Sequence, residues 1–174
     1  METKNQPEDR LENTELSSSK CPFHKFLSKL KVFAGFPVPV IFKWAQGKPN
    51  FREIDVHKWR SAVQNKTCMI CGNELDYWSW YVGGDACLKS KLMINGAMHR
   101  ECAEESMRLC PFLNKTRTTY RGELPTHPNQ ETKSGRPDVM HLMRGRTDAM
   151  KMVVTQNGHQ LISTGSKLES EVEF

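Results

Sequence analysis

Long apolar runs are missing from this sequence of 174 residues. The longest, about Val38 to Phe42, is interrupted by Pro39, far short of the roughly 20 residues a membrane span needs. The first ten residues, Met-Glu-Thr-Lys-Asn-Gln-Pro-Glu-Asp-Arg, are polar and acidic, where a secretion signal needs a basic start and an apolar core. A cytoplasmic, non-membrane protein is therefore expected, and six cysteines in that setting point to metal ligation or buried thiols before disulfides. No internal repeat, phosphate-binding loop or nucleophile motif is visible, and no small-molecule substrate suggests itself. Charge of one sign is also scarce: 25 basic residues against 20 acidic give a net +5. With 37% hydrophobic and 26% charged residues, the chain has an ordinary globular composition.

Residues 1–20 carry five acidic and three basic side chains and end in a serine run. They hold too little apolar surface to offset ordering entropy, so a disordered acidic tail is expected. Phe23, Phe26, Leu27, Leu30 and Phe33 then recur at helical spacing with lysines between them, which reads as a short basic amphipathic helix. Two strands, over Val38–Trp44 and Pro49–Ile54, flank a Gln46-Gly47-Lys48 turn. Asp55 is positioned to cap a helix from Val56 to Gln64 whose apolar face is Val56, Trp59 and Val63. From Cys21 to Thr67 nine basic residues face two acidic ones, a local charge of about +7.

The chemistry lies in residues 68–113. Cys68-Met69-Ile70-Cys71-Gly72 is a C-x-x-C-G knuckle, and His99-Arg100-Glu101-Cys102 is an H-x-x-C pair at the start of a helix that Pro111 stops. Residues i and i+3 share a helix face, so the imidazole and the thiolate converge. The 27 residues between the pairs, with Tyr77, Trp78, Trp80 and Tyr81 and a Gly83-Gly84 break, read as a β-hairpin. Knuckle, hairpin and helix in that order describe a treble clef, and three cysteines with one histidine suit a closed structural Zn²⁺ site. Cys87 and Cys110 are the alternative ligands. Cys110 also falls on the helix face of Ala103 and Met107, where a small core residue belongs. Cys21-Pro22-Phe23-His24 has ligand spacing but no matching second pair. The connector, residues 114–137, is polar and without period. Past it, residues 138–174 are β-rich, with a hairpin over Lys151–Thr155 and His159–Ser163 around Asn157-Gly158. The expected fold class is α+β: a small zinc-stabilised, treble-clef-like domain, spanning 21–174, with flanking β-hairpins and short helices.

The stretch from about Gly35 to Leu113 resembles a family of small proteins encoded in bacteriophage and bacterial, especially actinobacterial, genomes. The matching residues are Gly35-Phe36-Pro37-Val38-Pro39, Trp44, Gly47-Lys48-Pro49-Asn50-Phe51-Arg52, the Cys68–Gly72 knuckle, Cys87, His99-Arg100-Glu101-Cys102-Ala103 and Cys110-Pro111-Phe112-Leu113. The acidic tail and the Trp/Tyr-dense hairpin depart from the family pattern. The resemblance implies a phage or mobile-element origin and no particular chemistry.

Three functions remain open at this point. A protein-interaction module acting on a host factor fits a small zinc-clamped domain of mixed charge. A nucleic-acid binder fits the +7 segment, with Trp78, Trp80 and Tyr81 for stacking and Arg117, Arg121, Arg144 and Arg146 for phosphates; the same residues are candidate partner contacts in the first reading. An HNH-type nuclease, built on a treble clef, needs a base histidine beside an open metal. No histidine lies between Cys71 and His99, although Asp76 and Asp85 are acidic enough to hold an ion. His57, His127, His141 and His159 have no partner at ligand spacing and read as surface or partly buried residues.

Overall fold

The computed structural model describes residues 27–114, 137–156 and 158–173. The acidic tail, Phe23, Phe26, the Cys21/His24 pair, His127, Asn157 and nearly all of the connector, with Arg117 and Arg121, lie outside the described residues. Within them the class is α+β, with few helices and several small sheets.

The amphipathic helix expected to reach Phe33 is corrected. Leu27–Lys29 make one 3₁₀ turn that buries Leu27, and Val32–Phe33 (β1) instead pair with Phe36–Pro37 (β2). Ala34 and Gly35, both at positive φ, close the chain back on itself there and override the helical spacing. Phe42–Ala45 (β3) and Lys48–Ile54 (β4) form the next antiparallel pair, whose first strand is shorter than the expected Val38–Trp44. Their connection also has positive φ at both central residues, Gln46 and Gly47, the twist that suits a two-residue hairpin. Val56–Gln64 (α1) lies where the sequence puts it. The Asp55 carboxylate accepts from the His57 and Lys58 amides, satisfying donors that the first helical turn leaves free. Trp59 and Val63 are buried, and Trp59 Nε1 donates to the Ile94 carbonyl; Val56 points outward, a correction to its place on the apolar face.

The main departure concerns Trp78–Gly84 (β5). No local hairpin follows it. Asp85–Ser90 (α2) and Leu92–Met93 (β6) come next, and β5 meets the chain ahead of Arg100–Leu109 (α3) in one antiparallel bridge, Trp80 to Met98. Along its other edge β5 pairs over its full length with Met140–Arg146 (β7), which in turn pairs with Glu169–Glu173 (β10). Gly83 explains the abrupt turn into α2: a Cβ there would meet Cys87 Cβ and Sγ at 3.0 Å and the Met143 methyl at 3.2 Å, closer than atoms of this kind pack. The expected C-terminal hairpin is present as Lys151–Val154 (β8) on Gln160–Ser163 (β9), and β6 adds to the other edge of β9.

The core runs between these sheets and α3. Tyr81, Val82, Leu142 and Met143 come from the central pair, Cys102 and Ala103 from the helix, and Met93, Met150 and Ile162 from the second sheet. No helix among the described residues is long and apolar enough to cross a membrane.

Candidate metal centre

The two halves of the metal motif arrive by different local devices. Thr67 and Glu74 bridge across the knuckle, and the Cys68 amide donates to the Asn73 carbonyl. Gly72 takes φ +77° while its own amide donates to the Cys68 carbonyl, a tight reversal in a region disfavoured for a side chain with Cβ. Met69 donates to the Ala97 carbonyl and so holds the knuckle against the entry to α3. His99 stands at the N-cap of α3, and Cys102 lies on its first turn.

The ligand atoms of Cys68, Cys71, His99 and Cys102 all fall within 4.8 Å of one another. His99 Nδ1 lies 3.4 Å from Cys71 Sγ and 3.9 Å from Cys102 Sγ. A tetrahedral zinc with Zn–S of about 2.3 Å and Zn–N of about 2.0 Å sets its ligand atoms about 3.5–3.8 Å apart, so the quartet fits the ion with little movement. The other ring nitrogen of His99 sits 2.8 Å from the Glu74 carbonyl, a partner that orients the ring and leaves Nδ1 for a metal. Asn73 Nδ2 donates to Cys71 Sγ at 3.3 Å. Cys68, Cys102 and His99 are buried; Cys71 forms the half-open side.

Four donors this close compete for protons. Hydrogen bonds from Cys102 and Cys68 push the Cys71 thiol far down, and hydrogen bonding to Cys68 and Cys71 pushes the Cys102 thiol far up. The same two sulfurs, Cys68 foremost, push His99 up to about 11. A divalent cation resolves that competition by replacing the shared protons, which is why such sites release protons on binding metal.

Neither alternative ligand joins this group. Cys87 packs half-buried against the end of β5, its thiol pushed up by burial, and Cys110 sits at the C-terminal end of α3. None of the five described cysteines is in a disulfide. The expected contact residues are largely engaged with one another. Tyr81 is a core side chain whose hydroxyl accepts from Ser79, with its pKa pushed up to about 12 by burial; its place among exposed contacts is therefore corrected. Trp80 Nε1 reaches Glu171. Arg144 lies over the Trp78 ring at 4.5 Å and pairs with Glu169 and Glu171. Arg146 lies over Tyr77 and pairs with Asp148.

One cluster carried no signal in the sequence. His141, on β7, is buried, a correction to its reading as a surface or partly buried residue. Its Nε2 lies 2.6 Å from Asp85 Oδ1, and its Nδ1 lies 2.9 Å from Ser170 Oγ and 3.8 Å from Glu173. The His141 hydrogen bond holds the Asp85 carboxyl below the usual carboxylate range. His141 and Asp85 are 56 residues apart in sequence, and only the β5–β7 pairing brings them together.

No family model matches the chain, and neither the curated proteins nor the solved structures contain a significant match to it.

Proposed function

We propose that the chain is a non-enzymatic binding protein, treble-clef-like in its central region, that a structural Zn²⁺ holds together and that acts by docking on a host protein. Knuckle, β5, the Met98 bridge and α3 follow the treble-clef order, with α2 and β6 inserted where the hairpin would close. One observation carries the non-catalytic reading: four protein donors lie within 4.8 Å of one another, enough to fill the coordination sphere of a zinc ion and leave no position for a reacting water. The phage or mobile-element origin rests on the resemblance of residues 35–113, and the cytoplasm of the host is the compartment that goes with it.

Nucleic-acid binding is the second reading, favoured by the +7 charge between Cys21 and Thr67. Against it, Arg144 and Arg146 are paired with carboxylates and cover the aromatic faces a base would need. The HNH-type nuclease fits least. His99 belongs to the proposed closed site, and both nitrogens of His141 are engaged by Asp85 and Ser170. A pull-down of the tagged full chain from host lysate separates the first two readings. Protein capture that survives nuclease treatment supports docking on a protein; retention that disappears with nuclease supports nucleic acid.

A further inference from the structure

Five of the fifteen Phe, Trp and Tyr residues of the chain lie on the two small hairpins β1–β2 and β3–β4. They fall into two contacting groups that share β3. Phe33 and Phe36 oppose each other across β1 and β2. Phe33 meets Trp44 edge-on at 6.5 Å, and Phe42 meets Phe51 edge-on at 5.3 Å. The exposure is high for side chains of this size: 47% for Phe36, 49% for Phe51 and 36% for Trp44. Exposed apolar groups gathered in this way mark an interaction site more often than a bare surface.

The segment that carries this face is basic in sequence. Residues 27–51 hold Lys29, Lys31, Lys43 and Lys48 and no acidic residue, whereas residues 137–173 hold four basic against five acidic. Lys31 Nζ lies 5.4 Å above the Trp44 ring, so a cation is held at the middle of the aromatic group. The edge-to-face arrangement and the lysine over Trp44 leave mixed edges and aliphatic surface, not the open ring faces on which successive bases stack.

We propose that the β1–β4 face binds an acidic protein segment bearing apolar anchors, with Phe36, Trp44 and Phe51 receiving the anchors and Lys31 facing its carboxylates. The proposal deepens the protein-docking reading and rests on it. Rim charges of this kind set approach and selectivity, while the buried aromatic anchors hold the complex.

The test uses the full chain and two fluorescein-labelled probes: a 16-residue peptide of alternating Asp/Glu pairs and Phe/Leu pairs, and a 20-nucleotide oligo-dT. The peptide is expected to bind, and replacing its Phe and Leu by Ser should weaken it at least about tenfold. Trp44→Ala and Phe51→Ala should each cost about tenfold or more, and Lys31→Gln several-fold with a reduced salt dependence. Arg146→Gln should leave binding unchanged. Trp44→Phe, with metal content and circular dichroism compared across all variants, separates lost contact from lost fold. Failure of the peptide to bind, or tighter Trp44-dependent binding of oligo-dT, overturns the proposal. Capture of a host protein that Trp44→Ala leaves intact would overturn this surface while keeping the docking reading.

Discussion

Replacing Cys102 by serine tests the metal centre most directly. Cys102 is fully buried on the first turn of α3, beside the equally buried Ala103, and its sulfur is one of four donors packed within 4.8 Å. A structural zinc supplies about 10–16 kcal/mol to folding, comparable to or larger than the roughly 5–15 kcal/mol by which a whole domain is stable. Serine is a poor zinc ligand at neutral pH, and its hydroxyl in this site would be left unsatisfied at a cost of about 1–3 kcal/mol. Losing even a third of the metal's contribution means about 4 kcal/mol, which in a chain of this length lowers Tm by about 8–16 °C. The assay pairs thermal melts followed by circular dichroism with metal content by mass spectrometry. Wild-type protein should carry about one zinc per chain and lose its cooperative transition with a strong chelator, whereas Cys102→Ser should bind zinc poorly and melt early. Cys110→Ser, outside the quartet, should keep both the metal and the wild-type Tm. A metal-free Cys102→Ser that melts with the wild type would refute the reasoning, as would wild-type protein that purifies folded without metal.

Other expectations follow from single contacts. Asp55→Ala removes the acceptor for the His57 and Lys58 amides and should cost about 1 kcal/mol in denaturant unfolding, while Asp55→Asn keeps most of it. The Asp85–His141 contact predicts a pH effect with a definite sign. Because the folded state holds Asp85 below its ordinary value of 3.8, the contact contributes fully above that value and is lost as pH falls through the depressed one. The Tm gap between wild type and Asp85→Asn should therefore shrink as pH falls below about pH 4; a gap that widens over that range would show the sign to be wrong. Tyr81→Phe removes one acceptor of the Ser79 hydroxyl, which still has the Gly145 carbonyl to donate to, so the loss should stay near 1 kcal/mol in the same unfolding assay.

What was legible in the sequence is what depends on neighbours along the chain. The Asp55 cap and α1 follow from residues within one helical turn, and the β8–β9 hairpin from its own strand pattern and turn. The metal quartet was readable because each half brings two ligands at fixed short spacing, so only the meeting of the halves needed the fold. Local spacing misled where a tight turn intervened, as at Ala34-Gly35, which turned an apparent helix into two strands. It misled again where β5 took a distant partner in place of an adjacent one, because nothing near Trp78–Gly84 encodes β7. The same pairing hid the burial of Tyr81 and His141 and the Asp85 contact, and it spent Arg144 on Trp78 and two glutamates.

That long-range pairing also bears on how the chain is made. β7 leaves the ribosome roughly 60 residues after β5, a delay of about 3–12 s at ordinary elongation rates. During that interval the nascent chain has its knuckle and α3 but lacks the strand that completes the burial of Tyr81 and Val82, so early zinc capture would give it a fixed platform to wait on. Synthesis in zinc-starved cells should accordingly send more of the product to proteolysis and inclusion bodies than the stability of the finished protein alone would suggest.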